Sequence, residues 1–256
     1  VSPDTPTITS NPVGAARVAT SAALKGRWQG LRSPMLIIGF VLVGLFVTVA
    51  VLAPVLAPYD PHAIAGDSFA HPSAGHLLGT NDLGQDILSQ VIWAARYSLT
   101  VAVAAATLAV VAGVLVGVLA GLTGGVVDMV LMRAVDVFLG IPGLPLIILI
   151  TALLGPNIGV LIFVVALAGW APMARTLRSQ TLTLRERGFV QFSQGAGGGP
   201  LYVLRRHLVP ATGPLIVAHW VDWAGAAIFL ESGLAFLGLG DPFRVSWGTI
   251  LDRAFR

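Results

Sequence analysis

The sequence predicts an all-α protein, a polytopic membrane helix bundle with five clear spans, and three observations predict it. Hydrophobic residues make up 55% of the 256 and charged residues only 11%, against about 25% charged in an ordinary soluble domain, and the mean hydropathy is +0.84. The apolar residues fall into five runs separated by polar, Pro/Gly-rich stretches, and about 20 consecutive apolar residues cross a bilayer. The basic residues cluster between runs rather than along a solvated face, so the net charge of +3 carries topology rather than nucleic-acid binding. No cysteine is present, which excludes disulfides, thiolate metal sites and Cys nucleophiles.

Residues 1–33 read as a flexible cytoplasmic tail, rich in Ser, Thr, Pro and Ala and without a hydrophobic period, ending in the basic cluster Arg17, Lys25, Arg27 and Arg32. Residues 34–57 form the first span, whose apolar run Met35 to Ala57 exceeds the roughly 7–15 residues of a signal-peptide core. Residues 58–96 are a polar, turn-rich external segment with Asp60, Asp67, Asp82 and Asp86. The remainder, 97–256, is the core of the protein. In its uncharged run Leu99 to Leu122, Gly113, Gly117 and Gly121 recur every fourth residue, and small residues at that spacing let a neighbouring membrane helix approach closely. The third run is Met129 to Leu154, the fourth Ile158 to Ala174 ending at Pro172, and the fifth Leu215 to Leu239. Asp241 to Arg256 reads as a loop with a helix beginning.

Between the fourth and fifth runs, residues 175–206 hold six arginines against one acid, Glu186. Basic loops stay on the cytoplasmic side. Four crossings separate the basic tail from this loop, so both lie inside and the acidic 58–96 segment lies outside. Within the loop, Thr181 to Gln194 can form a helix, Gly195 to Gly199 breaks it, and Pro200 occupies a first helical position, where its missing N–H is no loss. A helix, a glycine turn and a second helix on the inner face suit the docking of a partner protein. Nucleotide binding is excluded, because a phosphate loop needs a Lys and a hydroxyl after its last glycine and Gly199 is followed by Pro-Leu-Tyr.

An ordered set of motifs resembles the inner-membrane permeases of the dipeptide, oligopeptide and nickel ABC importers. It comprises Gly79-Thr80-Asn-Asp82-Leu-Gly84-Gln-Asp86, Ala95-Arg96-Tyr-Ser98, Ala120-Gly121 through Gly124-Gly125 with Asp128, Met132-Arg133 with Asp136, Trp170 with Ala174-Arg175, Glu231 with Phe236 to Gly240, and Ser246-Trp247-Gly248. The resemblance implies a type I ABC importer permease fold in the cell inner membrane, multi-pass with a cytoplasmic N-terminus. It also implies a second homologous permease, ATP-binding cassette subunits or one fused double ATPase, an extracytoplasmic substrate-binding protein and no nucleic acid. No cofactor is expected on this chain; ATP and Mg belong to the ATPase partners. By the same resemblance the expected solute is a dipeptide or short oligopeptide, with nickel complexes and haem also in the family's range.

By the same resemblance, residues 175–207 are the family's coupling loop, with Arg185, Arg187, Phe189, Gln191, Gly197, Arg206 and His207 as the ATPase-docking set. Gln191 stands at the family's glutamate position, and Phe192 and Ser193 stand where it has two alanines. The external motif places Thr80, Asp82, Gly84, Asp86 and Arg96 ahead of the second span. The family pattern has six spans, so a sixth is expected to be either missing or absent here.

Ionisable residues within spans usually face the bundle interior, which makes Arg133, Asp136, His219, Asp222 and Glu231 candidates for the pathway or interior. Arg133 and Asp136 share a helix face and are expected to pair locally. His62, His71 and His76 are too irregularly spaced to predict a metal site. Two rival functions are a proton-coupled secondary transporter using Asp222 or Glu231 and an intramembrane hydrolase using His219 and Ser232. The first lacks the internal repeat such transporters show, and the second places its pair roughly 20 Å apart on one helix at about 1.5 Å per residue.

Overall fold

The computed structural model describes residues 33–255; the predicted tail therefore lies almost wholly outside the described residues. The chain divides into two compact units after Thr48. The first contains most of α1 (Pro34–Val51), an 18-residue helix apolar on every face. All else concerns the second unit.

That unit begins with the short α2 (Ala53–Leu56) and a turn-rich segment reaching residue 86, pinned by isolated bridges between Ile64 and Gln85 and between Thr80 and Asp86. Helix α3 (Ile87–Thr123) runs for 37 residues. Its N-terminus is capped by Asp86, whose carboxylate accepts from the Ser89 amide at 2.8 Å, satisfying a donor that the helix leaves open. Helices α4 (Gly125–Gly140) and α5 (Gly143–Leu154) follow, then α6 (Ile158–Arg185), which starts on the side-chain cap of Asn157.

Four helices are long and apolar enough to cross a membrane, and the bent pair α4–α5 makes a fifth candidate span. The third apolar run, predicted as one span, is thus two helices bent by 86°. Pro142 is the cause: a residue before proline is pushed to extended backbone, and Ile141 stands at φ −87°, ψ 129°. Conversely, the fourth run does not end at Pro172. Helix α6 continues through it to Arg185, so the first third of the basic stretch 175–206 is the continuation of a span.

The glycine stripe packs as its spacing predicts. Gly113, Gly117 and Gly121 of α3 are buried, and a Cβ at Gly113 would stand 2.6 Å from Met173 Cβ. At Gly121 it would stand 2.6 Å from Thr181 Cβ, and at Gly117 it would strike the Ala174 carbonyl oxygen. Contact of this closeness between α3 and α6 is how membrane helices associate without a hydrophobic drive. Further along the same pair, Val101, Ala105, Leu161, Val164 and Val165 form the largest apolar cluster, joined by Ala227 and Leu234.

After α6 the chain makes two short helices, α7 (Gly188–Gly195) and α8 (Pro200–Val203), a π-helical turn Leu204–Leu208 and then α9 (Val209–Leu234). The fifth run accordingly sits in a helical stretch, Pro200–Leu239, longer than its apolar part. The π turn closes with the Val209 amide donating to the Leu204 carbonyl; Pro210 next in sequence has no N–H to give to the regular ladder. A second π turn, Ala235–Leu239, and α10 (Trp247–Phe255) complete the described residues.

Candidate functional site

The predicted helix from Thr181 to Gln194 is broken in the structure. Helix α6 stops at Arg185, Glu186 and Arg187 form a turn, and α7 starts afresh with Arg187 at its cap position. Four residues, Ala196 to Gly199, then reverse the chain into α8, where Pro200 does occupy the helix start and Gly199 the cap. Gly197 holds φ +91°, a left-handed conformation that costs any residue with a Cβ. The reversal is tied by the Gly198 amide donating to the Ser193 carbonyl at 2.9 Å.

This hairpin has its own small core. Val190, Val203 and Leu208 are fully buried and pack with Leu122, Leu184 and Leu204. Arg185 anchors its base, donating to the Gly121 carbonyl at 2.7 Å. The outer surface carries Arg187, Phe189, Gln191, Phe192, Gly197 and Arg206, all exposed, with Phe192 at 79%. His207 is placed differently from the other predicted docking residues: half-buried, its ring lies 5.4 Å from that of Phe189 and 6.0 Å edge-on from that of Tyr202. It braces the hairpin. Exposed aromatics flanked by guanidiniums are the composition of a protein-docking surface.

Arg133 and Asp136 do not pair locally. Asp136 accepts instead from Arg175 of α6, because α4 lies alongside α6 and the guanidinium reaches it across the interface. Both Arg133 and Asp136 are exposed, so neither lies in the interior of the described residues. About two turns nearer the start of α4, Asp128 takes a two-pronged contact from Arg178, at 2.5 and 2.6 Å. Sequence reasoning missed both ties; complementary charges at the flanks of neighbouring runs were the available signal, and nothing in the spacing chose the partners.

Of the ionisable residues on α9, only Glu231 is buried, with no exposed surface. Its Oε2 accepts from the Ser98 hydroxyl of α3 at 2.9 Å, and Oε1 has no hydrogen-bond partner. Asp222 is exposed and His219 half-buried. Their tryptophan neighbours do the packing: Trp220 donates to the Thr107 hydroxyl at 3.0 Å, and Trp223 lies against Gly169, where a Cβ would strike its indole ring.

In the segment ahead of α3, Thr80, Gly84 and Asp86 are buried while Asp82 is exposed; Arg96, predicted to belong to this segment, is exposed but lies within α3, which begins at Ile87, so the turn-rich part ends at residue 86 rather than 96. The Thr80 hydroxyl donates to the Asp67 carbonyl at 2.5 Å and accepts from the Ala70 amide at 2.8 Å. The Asp86 carboxylate accepts from the Ser89 hydroxyl at 2.7 Å and stands 3.0 Å from His76 Nδ1. Burial pushes the Asp86 carboxyl up, but the Ser89 hydroxyl and amide and then His76 outweigh it and hold it below the ordinary carboxylate value. Among the described residues no group of three or more His, Cys, Asp or Glu could hold a metal ion.

Residues 113–248 match the family of the binding-protein-dependent transport system inner membrane component, and residues 27–74 match the N-terminal TM domain of oligopeptide transport permease C. The dipeptide transport system permease protein DppC of Bacillus subtilis is 37% identical over 233 residues, covering 88% of this chain and 71% of that protein. The oligopeptide transport system permease protein OppC of the same organism is 34% identical over 218 residues, 83% of this chain and 70% of that one. The glutathione transport system permease protein GsiD of Shigella dysenteriae is 36% identical over 213 residues, 82% and 70% respectively. Such membership implies work alongside an ABC ATPase, a second permease and a solute-binding protein. The chain belongs to the binding-protein-dependent transport system inner membrane component family, as a multi-pass, non-catalytic permease subunit of an ABC importer.

Proposed function

We propose that this subunit forms, with a second permease, the translocation pathway of an ATP-driven importer of dipeptides or short oligopeptides. The observation that carries the solute class is the likeness to peptide permeases along 88% of the chain. The hairpin from Thr181 to His207 is read as the element that engages the ATPase, and its separate core and exposed aromatic and basic surface support that reading. The N-terminus and hairpin then lie in the cytoplasm and the 58–86 segment outside, in keeping with the six arginines of residues 175–206. When the ATPases close on ATP, the hairpin moves with them, and the helices joined to it shift from inward-facing to outward-facing. Arg185 ties the hairpin base to α3 and gives that motion a route into the spans. Gln191 accepts and donates hydrogen bonds without a charge, so docking rests on shape and on the surrounding arginines.

The test is uptake of a labelled dipeptide into vesicles holding the complete transporter, with and without ATP inside. ATP-dependent uptake is expected; uptake that persists without ATP and follows a proton gradient overturns the proposal in favour of a secondary transporter. In the same vesicles Gly197→Val, which forces a branched residue to φ +91°, is expected to separate ATP hydrolysis from uptake. If both are unchanged, the hairpin is not the coupling element.

A further inference from the structure

One cavity of about 520 Å³ lies where the segment ahead of α3, the starts of α3 and α6 and the turn after α9 meet, lined by Asp60, Trp93, Arg96, Tyr97, Ile158 and Arg244 among others. Its volume falls in the range of small-molecule sites, about 300–1,000 Å³. Its walls are unusual in how much charge they leave unused. The ion pairs among the described residues are His76–Asp86, Arg175–Asp136 and Arg178–Asp128, so neither Arg96 nor Arg244 has a carboxylate partner. The Arg96 guanidinium sits 5.9 Å from the centre of the Trp93 ring, a stacking contact that leaves its N–H edges open to a ligand.

One further observation bears on the occupant. Asp60 accepts a hydrogen bond from the His62 amide at 2.8 Å and otherwise offers its carboxylate at the mouth, among exposed residues. The cavity therefore presents guanidinium donors together with one anion, over apolar walls.

We propose that this cavity is a selective site for the carboxylate end of a zwitterionic solute, in which Arg96 and Arg244 donate to the carboxylate and Asp60 receives a cationic group. Guanidinium is the side chain whose planar donor pattern fits a carboxylate in two-pronged fashion. Concavity and the apolar walls of Trp93 and Ile158 favour a small solute over an acidic surface of a docked protein, which would meet these charges on a flat face. The site rests on the importer reading for the solute being a peptide; its preference for a carboxylate stands on the cavity alone.

The experiment uses the assembled transporter in nanodiscs without its binding protein and measures equilibrium binding of 3-phenylpropionate against 3-phenylpropionamide, and of the dipeptide Ala-Phe against its C-terminal amide. In the unaltered transporter each acid is expected to bind about tenfold or more tightly than its amide, the scale of one charge-assisted hydrogen bond. That comparison needs no variant. Arg244→Gln and Arg96→Gln are each expected to remove most of the preference, and Arg244→Lys to restore part of it. Equal binding of acid and amide, or a preference untouched by both arginine substitutions, overturns the proposal. So does an Arg244→Gln transporter that loses its grip on the binding protein, measured by co-sedimentation, while keeping the acid preference; the cavity is then a docking surface. If the 3-phenylpropionate preference holds but labelled Ala-Phe is not taken up with ATP, the peptide reading fails and the carboxylate site remains.

Discussion

Replacing Gly113 by alanine adds one methyl group, and the structure fixes where it goes. Its Cβ would stand 2.6 Å from Met173 Cβ, 2.7 Å from Met173 Cγ and 2.8 Å from the Trp170 carbonyl oxygen. Met173 Cβ and the carbonyl belong to or adjoin the backbone, so a rotamer change cannot clear them. To restore ordinary contact the helices α3 and α6 must part by roughly 0.8 Å, a gap that forfeits about a quarter to a half of each facing dispersion contact. Overpacking of this kind costs about 1–3 kcal/mol, which at about 2–4 °C per kcal/mol lowers Tm by roughly 2–12 °C. The control is Gly225→Ala on α9, where an added Cβ meets nothing within 4 Å and relief of the glycine penalty is worth up to about 1 kcal/mol. Thermal unfolding of the purified protein in one detergent, followed by tryptophan fluorescence, compares the two. A Gly113→Ala protein as stable as Gly225→Ala would refute the close-packing argument for the whole stripe.

Asp86→Asn removes a carboxylate held below its ordinary value, so the sign is fixed: its stabilisation is complete above the unfolded value near 3.8 and fades as pH falls through the lower folded one. Hydrogen exchange across residues 57–86 is expected to quicken on acidification of the native protein, an effect that Asp86→Asn, which keeps a capping oxygen, removes, while Asp86→Ala is faster already at neutral pH by about 1 kcal/mol of lost capping. Arg178→Lys keeps the charge but loses the two-pronged contact to Asp128, and is expected to cost about 1–2 kcal/mol; a charge-exchanged Asp128→Arg, Arg178→Asp protein recovering part of the Tm loss of either single change confirms the pairing. Glu231→Gln preserves an acceptor for Ser98, while Glu231→Ala leaves that hydroxyl and a void in the interior; the alanine variant is expected to be the less stable by about 2–4 kcal/mol, and equal melting of the two refutes the Ser98 contact.

The parts of the fold that depend on one residue type at one period were legible in the sequence. Long apolar runs announce spans, and glycines every fourth residue announce that some helix packs closely on α3, though not that it is α6. What the sequence hid were choices among neighbours. Pro142 and Pro172 both interrupt apolar runs, yet the first ends a helix and the second is carried inside one; packing against α3 along Ala171, Met173 and Ala174 outweighs the missing hydrogen bond in the second case. Asp136 had an arginine three residues away and took another from 39 residues away, because helix–helix placement sets which guanidinium arrives. Glu231 was visible as a charge in a span, but its partner Ser98 lies 133 positions earlier. In the candidate coupling hairpin, Gly197 and Pro200 were legible from backbone rules, whereas the inward turn of His207 followed from Phe189 and Tyr202 closing around it.

Helix α10 returns to the beginning of the second unit. Arg253 donates to the Gln85 side-chain oxygen at 2.9 Å across 168 positions of sequence, and the Trp247 indole donates to the Val91 carbonyl at 3.4 Å. Gln85 is also held by Asn81 and Gln90, so a local network is ready long before its distant member exists. At about 5–20 residues per second, synthesis leaves roughly 8–34 s between the two. For that interval the segment before α3 stands on local bonds alone while successive spans enter the bilayer. The tie to α10 therefore marks a step of maturation later than insertion: it distinguishes a nascent chain whose spans have merely entered the bilayer from one in which Gln85 and Arg253 have met.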